Sequence, residues 1–148
     1  MQAVNHRNFN IVIAIDFLLT HTRNIGTAII IGLGIILASS LPDKIEKIGL
    51  KHRGISHSLI FYTLLGLLLN FYLKIYSYME IECLFLGGLI AGSLIHVLID
   101  MFSKHGITVL GIPIKFGLYT TGSMSEYIFL WICIALNFGL LYKFYPNF

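Results

Sequence analysis

Residues 84–102 read LFLGGLIAGSLIHVLIDMF, an apolar run that ends in two ionisable side chains, His96 and Asp100. A run of this length can cross a bilayer, which takes about 17–25 residues. His96 and Asp100 are four residues apart and therefore share one helical face. Ionisable groups inside a membrane segment are costly and usually functional. The stretch predicts a membrane helix that ends in a polar site; a His–Asp hydrogen bond that caps the helix is the alternative.

The composition of the whole chain agrees with a membrane location. Of its 148 residues 57% are hydrophobic and only 11% are charged, whereas soluble domains contain roughly 25% charged residues. We predict a single integral-membrane domain over residues 1–148. The net charge of +3 accompanies little exposed polar surface and indicates no nucleic-acid binding. Cys83 and Cys133 lie in apolar segments without metal-site spacing and are interpreted as packing residues.

Further apolar segments flank this one. They predict an all-α, polytopic membrane bundle of four to five helices. A glycine pair, Gly88 and Gly92, indicates close packing of helices, and packing within the chain is favoured over a dimer interface. The shortest segment, Phe9–Thr20, covers only about 18–20 Å, so whether it spans stays open. The segments are Phe9–Thr20, Ile25–Leu41, Ser58–Tyr78, Leu84–Phe102 and Tyr127–Tyr145.

Nearly all potential metal ligands fall at one end of this antiparallel arrangement. Four histidines and four carboxylates form a nitrogen and oxygen set that suits zinc, or else manganese or iron. A set of this size predicts one to three divalent ions in a polar metal site at one membrane face. The predicted ligands are His6, Asp43, Glu46, His52, His57, His96, Asp100 and Glu126.

Each part of this set has a simpler interpretation. Asp43 and Glu46 share a face if a helical turn begins at Pro42, but an acid there also suits an ordinary helix N-terminus. His52 and His57 can converge through a turn at Gly54, or belong to a polar surface loop.

Three further assignments concern substrate and proton transfer. Glu46 or Glu126 is the predicted general base, although Glu126 alone also fits a favourable charge at a helix N-terminus. Arg53 carries a planar donor fork that suits a phosphate and is the predicted substrate-binding residue. His6 by itself is a weak indication of a ligand.

The distribution of cations predicts the orientation of the site. Seven Lys and Arg residues lie on the side of the ligand set and three on the other, so the positive-inside rule places the site in the cytoplasm. The seven are Arg7, Lys44, Lys47, Lys51, Arg53, Lys104 and Lys115.

Two blocks of sequence resemble the YdjM-like, LexA-regulated inner-membrane metal-dependent hydrolases of bacteria. The first is Leu41-Pro42-Asp43 with His52-Arg53-Gly54-Ile55-Ser56-His57-Ser58, and the second runs from Gly92 through His96 and Asp100 to Gly106 and Pro113. His6 and Glu126 resemble the family's early histidine and late glutamate. Where the family often reads Leu-Pro-Asp-x-Asp-His, this chain has Ile45 and Glu46 in the last two places, so Glu46 replaces a ligand or that ligand is lost.

The resemblance implies a function class. The family is distantly similar to zinc-dependent phospholipase C and single-strand nuclease proteins, which are helical and carry clustered zinc ions. We therefore predict a hydrolase of the bacterial inner membrane that acts on phosphoesters such as phospholipid headgroups, with membrane lipids as partners. The alternative is a non-enzymatic metal-binding subunit or assembly factor, either a homo-oligomer or part of a larger membrane complex. A transporter ranks last, because its ionisable groups would lie near the bilayer midplane.

Overall fold

The computed structural model describes residues 3–20, 25–47, 57–75, 80–109 and 112–144. Within these ranges the chain forms six helices and a short hairpin. The elements are α1 (Ala3–Thr20), α2 (Ile25–Ala38), α3 (Leu41–Lys47), α4 (Leu59–Ile75), α5 (Glu80–Met101), β1 (Ile107–Val109), β2 (Ile112–Ile114) and α6 (Met124–Phe144).

Each of the five predicted apolar segments contains a helix, but several helix ends differ from the prediction. α5 starts at Glu80, not Leu84, and α6 starts at Met124, not Tyr127. α1 begins at Ala3, not Phe9, which makes it 18 residues long, or about 27 Å. Its polar start escapes a hydropathy reading, because Asn5 and His6 are buried in the protein and not exposed to lipid. α2 ends at Ala38 because the ring of Pro42 would clash with that residue's carbonyl if the helix continued. Pro42 instead occupies the first turn of α3, as predicted.

Close contact between α2 and α5 forms the centre of the fold. A Cβ atom added at Gly88 would lie 2.3 Å from the Ile31 carbonyl oxygen, and one at Gly92 would lie 2.5 Å from that of Ile35. Only hydrogen fits at these positions, so the two backbones touch. The glycine pair thus packs within its own chain, as predicted, and not in a dimer interface.

Buried asparagine and acid side chains attach α1 to its neighbours. Asn10 donates to the carbonyl oxygens of Ile35 in α2 (2.8 Å) and Gly92 in α5 (3.3 Å). Two further bonds connect α1 with α6. Asn5 donates to Glu126 at 2.6 Å, and Asn137 donates to the Asp16 carboxylate. Eleven residues separate these two contacts on both helices, so α1 and α6 run parallel.

Among the described residues, two helices are long and apolar enough to cross a membrane, Ile81–Met101 in α5 and Met124–Lys143 in α6. Only 11% of the α6 segment is buried inside the protein. Large apolar side chains on it are exposed, such as Trp131 (67% exposed) and Leu136 (63% exposed). Apolar surface on this scale indicates contact with lipid. The apolar helices Ile25–Ala38 and Leu59–Tyr72 are shorter. The structure is therefore that of a helical protein with two candidate membrane spans.

The connection between α5 and α6 contains the hairpin. β1 pairs with β2 in antiparallel register, Ile107 opposite Ile114. Gly106 starts the hairpin with a positive φ of 65°, and a Cβ there would lie 2.2 Å from the Ile114 carbonyl oxygen. The prediction of an all-α chain is accurate for the helices and omitted this short hairpin, whose strands are only three residues each.

We expect Gly92→Ala to destabilise the protein, because its methyl group would overlap the α2 backbone at Ile35. Overpacking of a well-filled interior costs about 1–3 kcal/mol. Gly139→Ala is the matched control, since a Cβ at Gly139 has no neighbour within 4 Å. Thermal unfolding in detergent should show a lower midpoint for the first variant and an unchanged or higher one for the second. Equal midpoints would contradict the α2–α5 contact.

Candidate metal centre

Five of the eight predicted ligands converge at one end of the helices. His6 comes from the start of α1, Asp43 from the first turn of α3, and His57 from the residues just before α4. His96 and Asp100 come from the last turns of α5. Ser58 accepts a hydrogen bond from the backbone N–H of residue 61 and so caps α4 beside His57. The helix ends, not the loops alone, hold the cluster in place.

The spacing between these side chains is close to that of ligands around a small ion. His57 Nε2 lies 3.4 Å from Asp43 Oδ1 and 3.5 Å from Asp100 Oδ2. His96 Nε2 lies 3.6 Å and 3.5 Å from the same two atoms. Tetrahedral ligands at about 2.0–2.1 Å from zinc are about 3.3–3.4 Å from one another. The residues can hold a metal in two overlapping groups of three, which share His96.

The geometry of His96 supports a ligand role most directly. Its Nδ1 donates a 2.7 Å hydrogen bond to the carbonyl oxygen of Ser39, in the turn between α2 and α3. This bond places a proton on Nδ1, so that in the neutral ring the lone pair is on Nε2, as in many metal-binding histidines. His96 is fully buried, and its Nε2 has no hydrogen-bond partner among the residues described. Leaving such an atom without a partner is costly, so an ion is a fitting partner.

His6 forms the inner edge of the cluster. Its Nε2 lies 3.2 Å from Asp100 Oδ1, and its ring stacks on that of His96 with centroids 3.7 Å apart and planes 16° apart. Two protonated imidazoles at this distance would repel each other, so the stack disfavours charge on both rings. Neutral imidazole is the form that binds metal. His6 thus fits either a ligand or a group that orients Asp100.

Asp43 is the side chain through which the cluster is accessible. It is 40% exposed, whereas His6, His57, His96 and Asp100 are each at most 5% exposed. Partial burial alone would raise the pKa of the Asp43 carboxyl, but His57 and His96 beside it hold that pKa well below its usual value. Asp43 therefore stays ionised, which is the form required of a ligand.

Glu126 was predicted to be a ligand and base, but the structure gives it other contacts. Its Oε1 accepts the bond from Asn5, and its Oε2 accepts a 2.6 Å bond from the backbone N–H of Gly122. It belongs to neither candidate metal group. Since Asn5 precedes His6, this fully buried carboxylate anchors the start of α1 beside the cluster. Asn5 and Ser39 do not stand out in the sequence, where the position of Asn5 next to a candidate ligand is the available signal.

Three other predicted residues stay untested by geometry. His52 and Arg53 lie outside the described residues. Glu46 lies in α3, but its side chain is not among those described. Their proposed roles as ligand, substrate-binding residue and base remain predictions from the sequence.

Comparison with protein families identifies the family of the chain. The family model of the YdjM inner membrane protein matches residues 1–145. The chain belongs to the YdjM family of inner membrane proteins. None of the curated proteins and none of the solved structures matches it. The match confirms the predicted family, and together with the two apolar helices it supports a membrane protein.

We expect His96→Ala to lower the affinity for metal more than the loss of a residue that only orients a ligand would, because His96 belongs to both candidate groups. Changing a residue that only orients a ligand already costs about 10–100-fold in affinity. The matched control is His105→Ala, which removes an exposed histidine from the connection that follows α5. Elemental analysis after zinc loading and dialysis should show zinc in the wild type and the control only. Equal zinc in all three proteins would contradict the ligand assignment.

Zinc binding should weaken as the pH falls from about 7 to about 5, because protonated imidazole cannot bind metal. Asp43 does not set this loss. Its pKa lies below the usual value, so its contribution to stability persists above about pH 4 and is lost only at lower pH. Equilibrium dialysis with a zinc indicator over this range measures the effect. Full retention of zinc at pH 4 would show that histidines are not ligands.

Proposed function

We propose that this YdjM family member is a polytopic membrane hydrolase that uses a divalent metal ion to cleave phosphoesters. The observation that carries the proposal is the convergence of His57 and His96 with the carboxylates of Asp43 and Asp100, at separations of 3.4–3.6 Å. Histidine nitrogens combined with carboxylate oxygens are typical ligands of zinc, manganese and iron in hydrolytic sites.

Zinc is our first choice of metal, and one ion is the number that the described residues support. The N···O spacing is close to that of tetrahedral ligands, which zinc prefers. His96 has only one nitrogen left for a metal, since Nδ1 is bonded to Ser39, and both candidate groups need that nitrogen. Manganese or iron would use the same ligands. His52 and Glu46 are the residues that could hold a second or third ion.

When bound, a divalent ion would supply a Lewis acid that polarises a phosphoryl group. The chain itself would do the rest. The exposed side of Asp43 marks the direction from which substrate approaches. Glu46 follows on the same short helix at a spacing of three, so we assign it, in preference to the hydrogen-bonded Glu126, as the base that accepts a proton from the attacking water. Arg53 would hold the phosphate oxygens.

The helix directions support a multi-pass topology. The cluster and its immediate anchors come from the N-termini of α1, α4 and α6 and from the C-termini of α2 and α5. Alternating ends of this kind are what five successive antiparallel crossings would bring together. We therefore propose that α1, α2 and α4 cross with α5 and α6, and that the excess of cations at the site end places it on the cytoplasmic side of the inner membrane.

The test is a hydrolysis panel with zinc-loaded protein in detergent. It should contain phospholipids, nucleotides and a chromogenic phosphodiester. We expect turnover of at least one phosphoester, a fall to the metal-free rate for His57→Ala, and an unchanged rate for the control His105→Ala. His57 is 98% buried between two carboxylates, whereas His105 is exposed.

Two outcomes would reject the hydrolase proposal. One is activity that persists in His57→Ala, which would assign the turnover to a contaminant. The other is a protein that holds zinc tightly but cleaves no member of the panel. That result would favour the metal-binding subunit or assembly factor, because a structural ion site is closed to substrate.

A further inference from the structure

A groove of about 350 Å³ lies between α4 and α5, next to the candidate metal centre. Its volume falls within the range of small-molecule sites, about 300–1,000 Å³. Its accessible wall is entirely apolar. The residues that line it are Leu41, Tyr62, Leu65, Leu68, Leu69, Tyr72, Leu86, Leu89, Ile90 and Ser93.

One end of the groove adjoins the cluster. Ser93 precedes the ligand candidate His96 by one helical turn, and Leu41 precedes Asp43 by two residues. At this end the hydroxyl groups of Tyr62 and Ser93 are buried and lie near each other. Two hydroxyl groups therefore lie where the apolar wall gives way to the polar cluster.

The other end leads away along both helices. From Tyr62 to Tyr72 the groove follows α4 for ten residues, or about 15 Å. Leu68 (63%) and Leu86 (46%) on its rim are exposed. In a member of an inner membrane family, such a rim faces lipid. An apolar channel of this length with a polar end matches a hydrocarbon chain attached to a polar linkage.

We propose that this groove binds one acyl chain of a membrane lipid and thereby delivers the lipid's phosphoester to the metal centre. The substrate class is then a phosphoester amphiphile taken from the bilayer, not a soluble phosphate compound. The binding of the chain stands on the groove alone, whereas its role in delivering a substrate rests on the proposed hydrolase function.

Photolabelling tests chain binding without using catalysis. The protein is reconstituted in nanodiscs of phosphatidylethanolamine and phosphatidylglycerol that contain a phospholipid with a diazirine at its acyl terminus, and adducts are mapped by peptide mass spectrometry. Leu69→Trp should fill the groove, because Leu69 lies against α5, with its Cδ2 3.8 Å from a Cβ built at Gly87. The matched control is Leu67→Trp, which alters an exposed side chain outside the groove.

We expect adducts on residues 65–72 and 86–90 of the wild type to fall severalfold in Leu69→Trp and to persist in Leu67→Trp. Adducts on the exposed face of α6 report ordinary surrounding lipid and should be equal in all three proteins. Retained zinc in Leu69→Trp shows that the variant is folded. Groove labelling that stays unchanged relative to α6 would overturn the proposal, as would a groove protected by a second copy or another protein in crosslinking.

A second arm separates this inference from the hydrolase proposal. Leu69→Trp should slow cleavage of a long-chain phospholipid and leave cleavage of a short, water-soluble phosphodiester unchanged. If the protein cleaves nothing while groove labelling still depends on Leu69, the hydrolase proposal fails and the acyl-chain site survives. If both substrates are cleaved equally by both proteins, the hydrolase survives and the delivery role fails.

Discussion

Contact between the backbones of α2 and α5 is the constraint on which the rest of the structure depends. Gly34, Gly88 and Gly92 leave no room for a side chain between these helices. Because the helices touch, the carbonyl of Ser39 at the end of α2 comes within 2.7 Å of the His96 ring in α5. The same proximity lets Asn10 bond to both helices at once. A packing feature made of glycine thus sets the orientation of the central candidate ligand.

The cluster also has an electrostatic logic. Three histidines and Asp100 are almost fully buried, and burial of ionisable groups is unfavourable unless each has a partner. Part of that requirement is met by the contacts of Asp100 with all three imidazoles. The depressed pKa of Asp43 shows that the arrangement favours an ionised carboxylate, and the two carboxylates beside His57 and His96 concentrate negative charge between the rings. Those are the groups that a divalent cation requires.

The positions of the long helices and the convergence of the candidate ligands could be predicted from the sequence, for physical reasons. Runs of apolar residues located the five long helices, and Pro42 located the break between α2 and α3. The one-ended distribution of His6, Asp43, His57, His96 and Asp100 predicted their convergence, because antiparallel helices return to the same side.

Other features were beyond the reach of a pattern. The polar start of α1 resembled a loop, because a hydropathy scale gives a polar side chain the same value whether it faces the protein interior or water. The bonds that Glu126 accepts from Asn5 and Gly122 were not foreseen, because hydropathy and spacing do not distinguish a ligand from a carboxylate that accepts such bonds. The groove beside Ser93 arises from two helices packing, which no single segment encodes.

The two polar links between α1 and α6 have a consequence for assembly. In lipid there is no hydrophobic driving force for apolar helix surfaces to associate. The position of α6 against α1 therefore depends on specific bonds. The Asn5–Glu126 and Asp16–Asn137 pairs are eleven residues apart, three turns of helix, and therefore lie on one face. Sliding α6 by a single turn would break both pairs together. These four side chains therefore determine a single register of α6 against α1.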